Sequence, residues 1–252
     1  MNSGLSDMDE SGRREPQPAL LGQTALVTGA SRGIGRAAAR ALAALGARVA
    51  VAARSEGPLR ALAEEIGGWA LPGDGTTPAG VDRWLDGFRA LAGGDPDILV
   101  TSAGVFTMAS VEETEPDVLA HNLNVNLTAS FLAVRGVLPG MRARGSGTIV
   151  LVGSVGGRHA FPGNAAYSAS KFGLRGFHEV LLQETRGSGV RVTLLEPAAT
   201  DTPIWDPMDP DRDPNLPSRD AMLRPEDVAD ALSFIVTRPA GVRIPFLPIE
   251  RA

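Results

Sequence analysis

Tyr167 and Lys171 stand four residues apart in Tyr167-Ser168-Ala169-Ser170-Lys171, a spacing that projects both side chains from one face of a helix. Tyr167 is the only tyrosine of the chain. A free phenol titrates near pH ~10, and a neighbouring ammonium favours its ionised form, so such a pair can move a proton closer to neutral pH. Taken alone the pair is a weak signal, because Tyr and Lys meet at this spacing on many amphipathic helices. Upstream, Ser154 in Val152-Gly153-Ser154-Val155-Gly156-Gly157 follows an apolar run, where its hydroxyl could polarise a carbonyl oxygen or simply close a turn. Asn126 falls midway along a helical stretch from Thr114 to Met141. It could hold a water on a proton route to Lys171, or be a satisfied interior amide that bends the helix; Asn124 competes for the role.

These residues need elements to bring them together. Short apolar runs at Thr24 to Thr28, Arg48 to Ala53, Asp97 to Thr101, Thr148 to Val152 and Val190 to Leu195 read as buried parallel strands. Helical segments begin near Gly33, Pro58, Thr77, Thr114 and Asn164, and this alternation predicts right-handed crossovers covering both faces of one sheet. The fold class is therefore α/β, a single doubly wound Rossmann-type domain of about seven parallel strands over residues 20–252. Residues 1–19, polar and rich in Pro and Gly, are expected to be a disordered tail. Val242 to Ile249 carries Pro245 and Pro248 and reads as an edge strand.

Directly after the first strand comes Thr28-Gly29-Ala30-Ser31-Arg32-Gly33-Ile34-Gly35, then the helical run Arg36 to Leu45. Glycines at a strand-to-helix turn let the backbone approach a pyrophosphate, and the unpaired N–H groups of the helix start favour its charge. A dinucleotide is the expected ligand. At the end of the second strand, where an acid usually meets the adenosine ribose, stand Ala53 and Arg54. Either Arg54 or Arg32 alone could be a solvated surface charge, but together, with no carboxylate to repel a 2′-phosphate, they favour NADP(H) over NAD(H).

Composition narrows the field. The chain has 252 residues, 43% hydrophobic and 21% charged, with net charge -5 and no basic stripe, which argues against nucleic acid as a partner. It has no cysteine and three isolated histidines, so disulfide and thiolate chemistry are excluded and a metal-free site is expected. No apolar run approaches the roughly 20 residues needed to span a bilayer, so no membrane partner and a cytoplasmic location are expected.

From about residue 20 onward the chain resembles the short-chain dehydrogenase/reductase family, in particular its 3-oxoacyl-ACP reductase-like members. The resemblance rests on the T-G-x-x-x-G-x-G turn from Thr28 to Gly35, the Tyr167/Lys171 pair and Ser154. It implies that Tyr167 donates or accepts the proton, Lys171 binds the nicotinamide ribose and lowers the tyrosine pKa, Ser154 positions the substrate and Asn126 supports a proton relay. The implied cofactor contacts are Gly29, Ser31, Arg32, Gly33, Ile34, Gly35, Arg54, Ala103, Gly104, Tyr167, Lys171, Pro197 and Thr202. Asp74 matches the position that meets the adenine, although beside Gly73 and Gly75 it could equally shape a turn.

Two departures stand out. Thr101-Ser102-Ala103-Gly104 replaces the usual N-N-A-G, putting cofactor affinity in doubt, and Ala198 replaces the glycine of the P-G pair. Substrate-facing candidates are Ser154, Phe106, Met108, Arg158, His159, Phe161, Ile204 and Trp205, with Arg158 and His159 available to a polar or anionic group. They suggest a modest, partly apolar ketone or aldehyde, a 3-oxoacyl thioester being one candidate. The loop from Pro203 to Leu223 holds Asp206, Asp209, Asp211 and Asp213 and reads as a mobile lid or as a solvated acidic loop. The family also implies a homotetramer or homodimer. The rival reading is a catalytically silent NADP(H)-binding regulator, against which the intact Tyr167, Lys171 and Ser154 argue.

Overall fold

The computed structural model describes residues 17–252. Most of the expected tail, residues 1–16, lies outside the described residues. Pro18 to Leu21 already belong to the domain: Leu20 is buried and its N–H donates to the Leu45 carbonyl at 2.9 Å.

Seven parallel strands form one sheet in the order β3-β2-β1-β4-β5-β6-β7. They are β1 (Thr24–Thr28), β2 (Arg48–Ala53), β3 (Trp69–Pro72), β4 (Ile98–Thr101), β5 (Gly147–Val152), β6 (Val190–Pro197) and β7 (Phe246–Ile249). Their apolar character follows from burial on both faces, and successive residues feed opposite layers. Ile98 and Val100 face a layer with Ala38, Leu42, Leu59 and Leu232, while Leu99 faces Leu85, Phe88, Val137 and Leu174. Each fully buried leucine contributes about 2 kcal/mol from removal of apolar surface from water.

Three helices cover the first face: α1 (Gly33–Ala44), α2 (Glu56–Glu65) and, late in the chain, α7 (Pro225–Val236). The second is covered by α3 (Pro78–Ala92), the long helical stretch that begins with α4 (Pro116–Leu123) and ends with α5 (Ala129–Ala143), and α6 (Ala165–Glu184). Among the described residues, no helix is long and apolar enough to cross a membrane.

Between α4 and α5 the helix passes through one π-helical segment, Asn124–Thr128. One extra residue per turn there rotates α5 by about 100° relative to an uninterrupted α-helix. β7 is the edge strand, paired only with β6, so its Pro248 leaves no ladder bond unmade on the far side. Strand order reverses at β1, whose neighbours β2 and β4 are followed by connections that leave in opposite directions; a crevice opens at the carboxyl ends there.

Candidate active site

A cleft of about 1230 Å³ runs along these carboxyl ends. Its floor is the turn from β1 into α1. Gly29 has φ +67, and a Cβ on it would lie 2.5 Å from the Ala103 backbone, so the turn closes against the loop after β4 only with glycine here. A Cβ on Gly35 would meet the Gly29 carbonyl at 2.5 Å, which fixes how closely α1 approaches the strand. No side chain caps the start of α1, and its first turn carries no acid, so free N–H groups and a positive helix end face the cleft. This cradle fits a pyrophosphate.

Around it, Ser31, Arg32, Gly33, Ile34, Ala53, Arg54, Asp74, Ala103 and Gly104 all line the cleft. Among the described residues neither Arg32 nor Arg54 has an ion-pair partner. Arg36, which the sequence reading missed, also lines the cleft, and its Nε is buried without a hydrogen-bond partner. Its signal was a guanidinium one turn into the dinucleotide helix. Asp74 shapes a turn: its Oδ1 accepts from the Thr76 N–H at 3.0 Å and from the Thr76 hydroxyl at 2.8 Å, which holds the carboxyl below its usual range. The departure at Thr101 also has a visible consequence, since its Oγ1 is buried and unpartnered where an amide could have braced two loops.

Ser154 follows β5, and its Oγ accepts from the Gly156 N–H at 3.1 Å. It also lies close enough to the Tyr167 phenol to draw its pKa down. Tyr167 emerges from the first turn of α6 against Gly156, where a Cβ would stand 3.1 Å from the ring. Lys171, one turn further, is buried and donates from Nζ to the Val152 carbonyl at 3.0 Å, with Nζ 5.8 Å from the Tyr167 ring centre. Serine, phenol and ammonium thus come together between the end of β5 and the start of α6.

Burial raises the Tyr167 pKa, and the neighbouring Ser154 hydroxyl offsets only part of this. The ammonium is turned to Val152 rather than to the phenol oxygen. Burial lowers Lys171 to about 8, opposed by the negative charge of Glu196.

Asn126 lies behind this group. It is fully buried in the π-helical segment, and its Oδ1 accepts from the Val105 N–H at 2.8 Å. Its Nδ2 donates to the Val105 carbonyl at 3.0 Å and to Ser170 Oγ at 2.8 Å. The side-chain amide is therefore satisfied by direct partners on two other elements. Ser170, missed by the sequence reading, passes the brace on by donating to the Tyr167 carbonyl at 2.6 Å. Asn124, the competitor, is exposed.

After β6 the chain returns over the cleft. Pro197 and Thr202 line it, Thr202 packing over Gly33, where a Cβ would lie 3.1 Å from Thr202 Cγ2. Phe106, Met108, Phe161, Ile204 and Trp205 line the other end. Phe106 meets Tyr167 edge-on at 4.7 Å and Trp205 at 5.0 Å, and the Trp205 indole donates to the Thr200 carbonyl at 3.1 Å.

Arg158 and His159 do not line this cleft. His159 is exposed, and the Arg158 Nε lies 3.2 Å from Glu196 Oε2. Glu196, 1% exposed, is also 3.0 Å from Arg175. An almost fully buried carboxylate is a stronger attractor than solvent, which accounts for where Arg158 goes. Burial pushes the Glu196 carboxyl up, while Arg175 and Arg158 pull it back down. Glu196→Gln is expected to lower stability by about 2–3 kcal/mol, modest for a broken buried pair because each guanidinium is still 32% exposed. It should also bring the Lys171 pKa below about 8. Urea unfolding and the pH dependence of activity would measure the two effects.

A family model described as short chain dehydrogenase matches residues 23–213. With the sheet order, the glycine turn and this match, the chain belongs to the short-chain dehydrogenase/reductase family of oxidoreductases, which bind a nicotinamide nucleotide. It is 36% identical over 243 residues to the glycine betaine reductase ATRR of Emericella nidulans, covering 93% of this chain but 19% of that protein. It is 33% identical to the 3-oxoacyl-(acyl-carrier-protein) reductase FabG of Escherichia coli, over 87% of this chain and 92% of that one. Among solved structures it resembles a metagenomic short-chain oxidoreductase in complex with NADP, at 33% identity and TM-score 0.79, over 93% of this chain and 99% of the other.

Proposed function

We propose that this protein is an NADP(H)-dependent oxidoreductase that reduces a small ketone or aldehyde, or oxidises the corresponding secondary alcohol, with Tyr167 as the proton donor and acceptor. The observation that carries the reading is that Ser154, Tyr167 and Lys171 open onto the same cleft as the glycine cradle. A bound nicotinamide nucleotide supplies or accepts the hydride. The Ser154 hydroxyl and the Tyr167 phenol both donate to the substrate oxygen, polarising the carbonyl and fixing its orientation. As charge grows on that oxygen, Tyr167 gives up its proton to it; in the reverse direction it takes the proton from the alcohol.

Lys171, whose Nζ donates to the Val152 carbonyl, would hold the ribose of a bound nucleotide and stabilise the phenolate that remains, against the desolvation that raises the phenol pKa. Asn126 and Ser170 hold α6 against the loop after β4, so that these groups keep their spacing. NADP(H) is preferred because Arg32 and Arg54 line the cleft with Ala53 and, among the described residues, have no ion-pair partner. A carbonyl on a partly apolar body suits Phe106, Phe161 and Trp205. Cytoplasmic assembly as a homodimer or homotetramer completes the proposal; its support is the exposed Phe131, Phe172 and Val180 on α5 and α6.

The test is NADPH consumption against ketones, aldehydes, quinones and 3-oxoacyl thioesters, with NADH in parallel. Turnover with NADPH is expected. NADPH binding without turnover on any member would favour the silent regulator instead.

A further inference from the structure

Charge is sorted along the cleft. Arg32 and Arg36 at the start of α1, and Arg54 after β2, gather where the adenosine phosphates would lie, and Lys171 sits at the foot of Tyr167. The loop after β6 also brings Ile204 and Trp205 to the cleft, and among the described lining residues it contributes the one charged side chain is Asp213. Its Oδ1 accepts from the Asn215 N–H at 2.9 Å and from Nδ2 at 3.0 Å, so its hydrogen-bond partners are neutral, and among the described residues it has no ion-pair partner.

The surroundings reinforce that sign. Residues 203–223 hold five aspartates against two arginines. Both arginines are already paired, Arg212 with Asp209 at 3.2 Å and Arg219 with Asp201 at 2.5 Å and Asp206 at 2.7 Å. Arg158, the cation expected to greet an anionic substrate, is held by Glu196. The walls are aromatic, and the faces of Phe106, Phe161 and Trp205 attract positive and repel negative charge.

We infer that the substrate is a compact carbonyl compound bearing no negative charge, neutral or cationic, and that Asp213 is a specificity-determining residue that turns anionic carbonyl compounds away. This rests on the oxidoreductase reading above. Thioesters on acidic carriers, nucleoside polyphosphates and oxo acids all bring their charge against the acidic loop, whose own arginines are already paired.

The experiment uses para-substituted acetophenones of similar size carrying a carboxylate, a carboxamide or a trimethylammonium group. kcat/KM with NADPH is measured for the full chain and for Asp213→Asn and Asp213→Lys, at low and high salt. Comparing each substrate between variants cancels the electronic effect of the substituent. The full chain should prefer the amide over the carboxylate by about tenfold. Asp213→Asn should narrow that gap about threefold, Asp213→Lys further, and salt should narrow it in the unmodified chain.

A carboxylate turned over as well as the amide, or a ratio unmoved by either substitution, overturns the inference. If none of the three is reduced, the same order is read from quenching of tryptophan fluorescence on binding. A preference for the carboxylate there overturns the inference, and a preference for the amide and the ammonium compound sustains it while the oxidoreductase reading alone falls.

Discussion

Tyr167→Phe is expected to lower turnover by about three orders of magnitude while leaving NADPH affinity within about twofold. The substitution removes one oxygen. The ring keeps its edge-on contact with Phe106 and its place over Gly156, so the cleft retains its shape. The variant loses the proton source, and with it one of two donors on the developing oxyanion. Because the lost interaction strengthens in the transition state, the loss should fall on kcat more than on KM. Steady-state kinetics with NADPH binding followed by fluorescence separates the two; a variant that kept its turnover would refute the assignment of Tyr167.

The pH profile adds an independent check. With Lys171 titrating at about 8, the free enzyme loses the ammonium as pH rises through that value. The reducing direction also needs the protonated phenol, whose pKa is raised by burial, so the phenol does not limit activity there. Reduction measured as kcat/KM should therefore fall as pH climbs past about 8, and Lys171→Met should lose that limb together with most of its activity.

The second large effect concerns the cofactor. Replacing Ala53 by Asp together with Arg54 by Ala should shift the ratio of kcat/KM for NADPH over NADH by two to three orders of magnitude toward NADH. A charge-assisted bond between guanidinium and phosphate contributes about 1.5–3 kcal/mol, and the new carboxylate would both repel a 2′-phosphate and accept from a ribose hydroxyl. Arg32 and Arg36 remain in the double variant, so some NADPH activity should persist. Single-variant kinetics would apportion the effect: if Arg54→Ala left the ratio unchanged, the 2′-phosphate would lie with the other two arginines.

Much of this was written locally in the chain. Apolar runs of strand length with glycines and helical stretches between them are set by nearest neighbours, which is why β1, β2, β4, β5 and β6 coincide with their sequence readings to within a residue or two. The glycine turn is legible for the same reason: φ +67 at Gly29 and the close approach of Gly35 require a missing side chain whatever surrounds them. The Tyr167/Lys171 spacing is a property of one helix, and Ser154 ends one strand.

The rest depends on partners far apart in sequence. Nothing near Arg158 shows that a carboxylate 38 residues later, at the end of β6, will be buried and will draw it from the substrate. Asn126 stands on a helix whose π-helical turn is held by packing, and its partners Val105 and Ser170 come from two other elements. The pKa values of Tyr167 and Lys171 depend on how much water the assembled sheet and helices exclude, and burial is the largest influence on both. Backbone conformation and side-chain spacing are local and were readable from the chain; burial and charge pairing are sums over the whole fold, and only the tertiary structure could decide them.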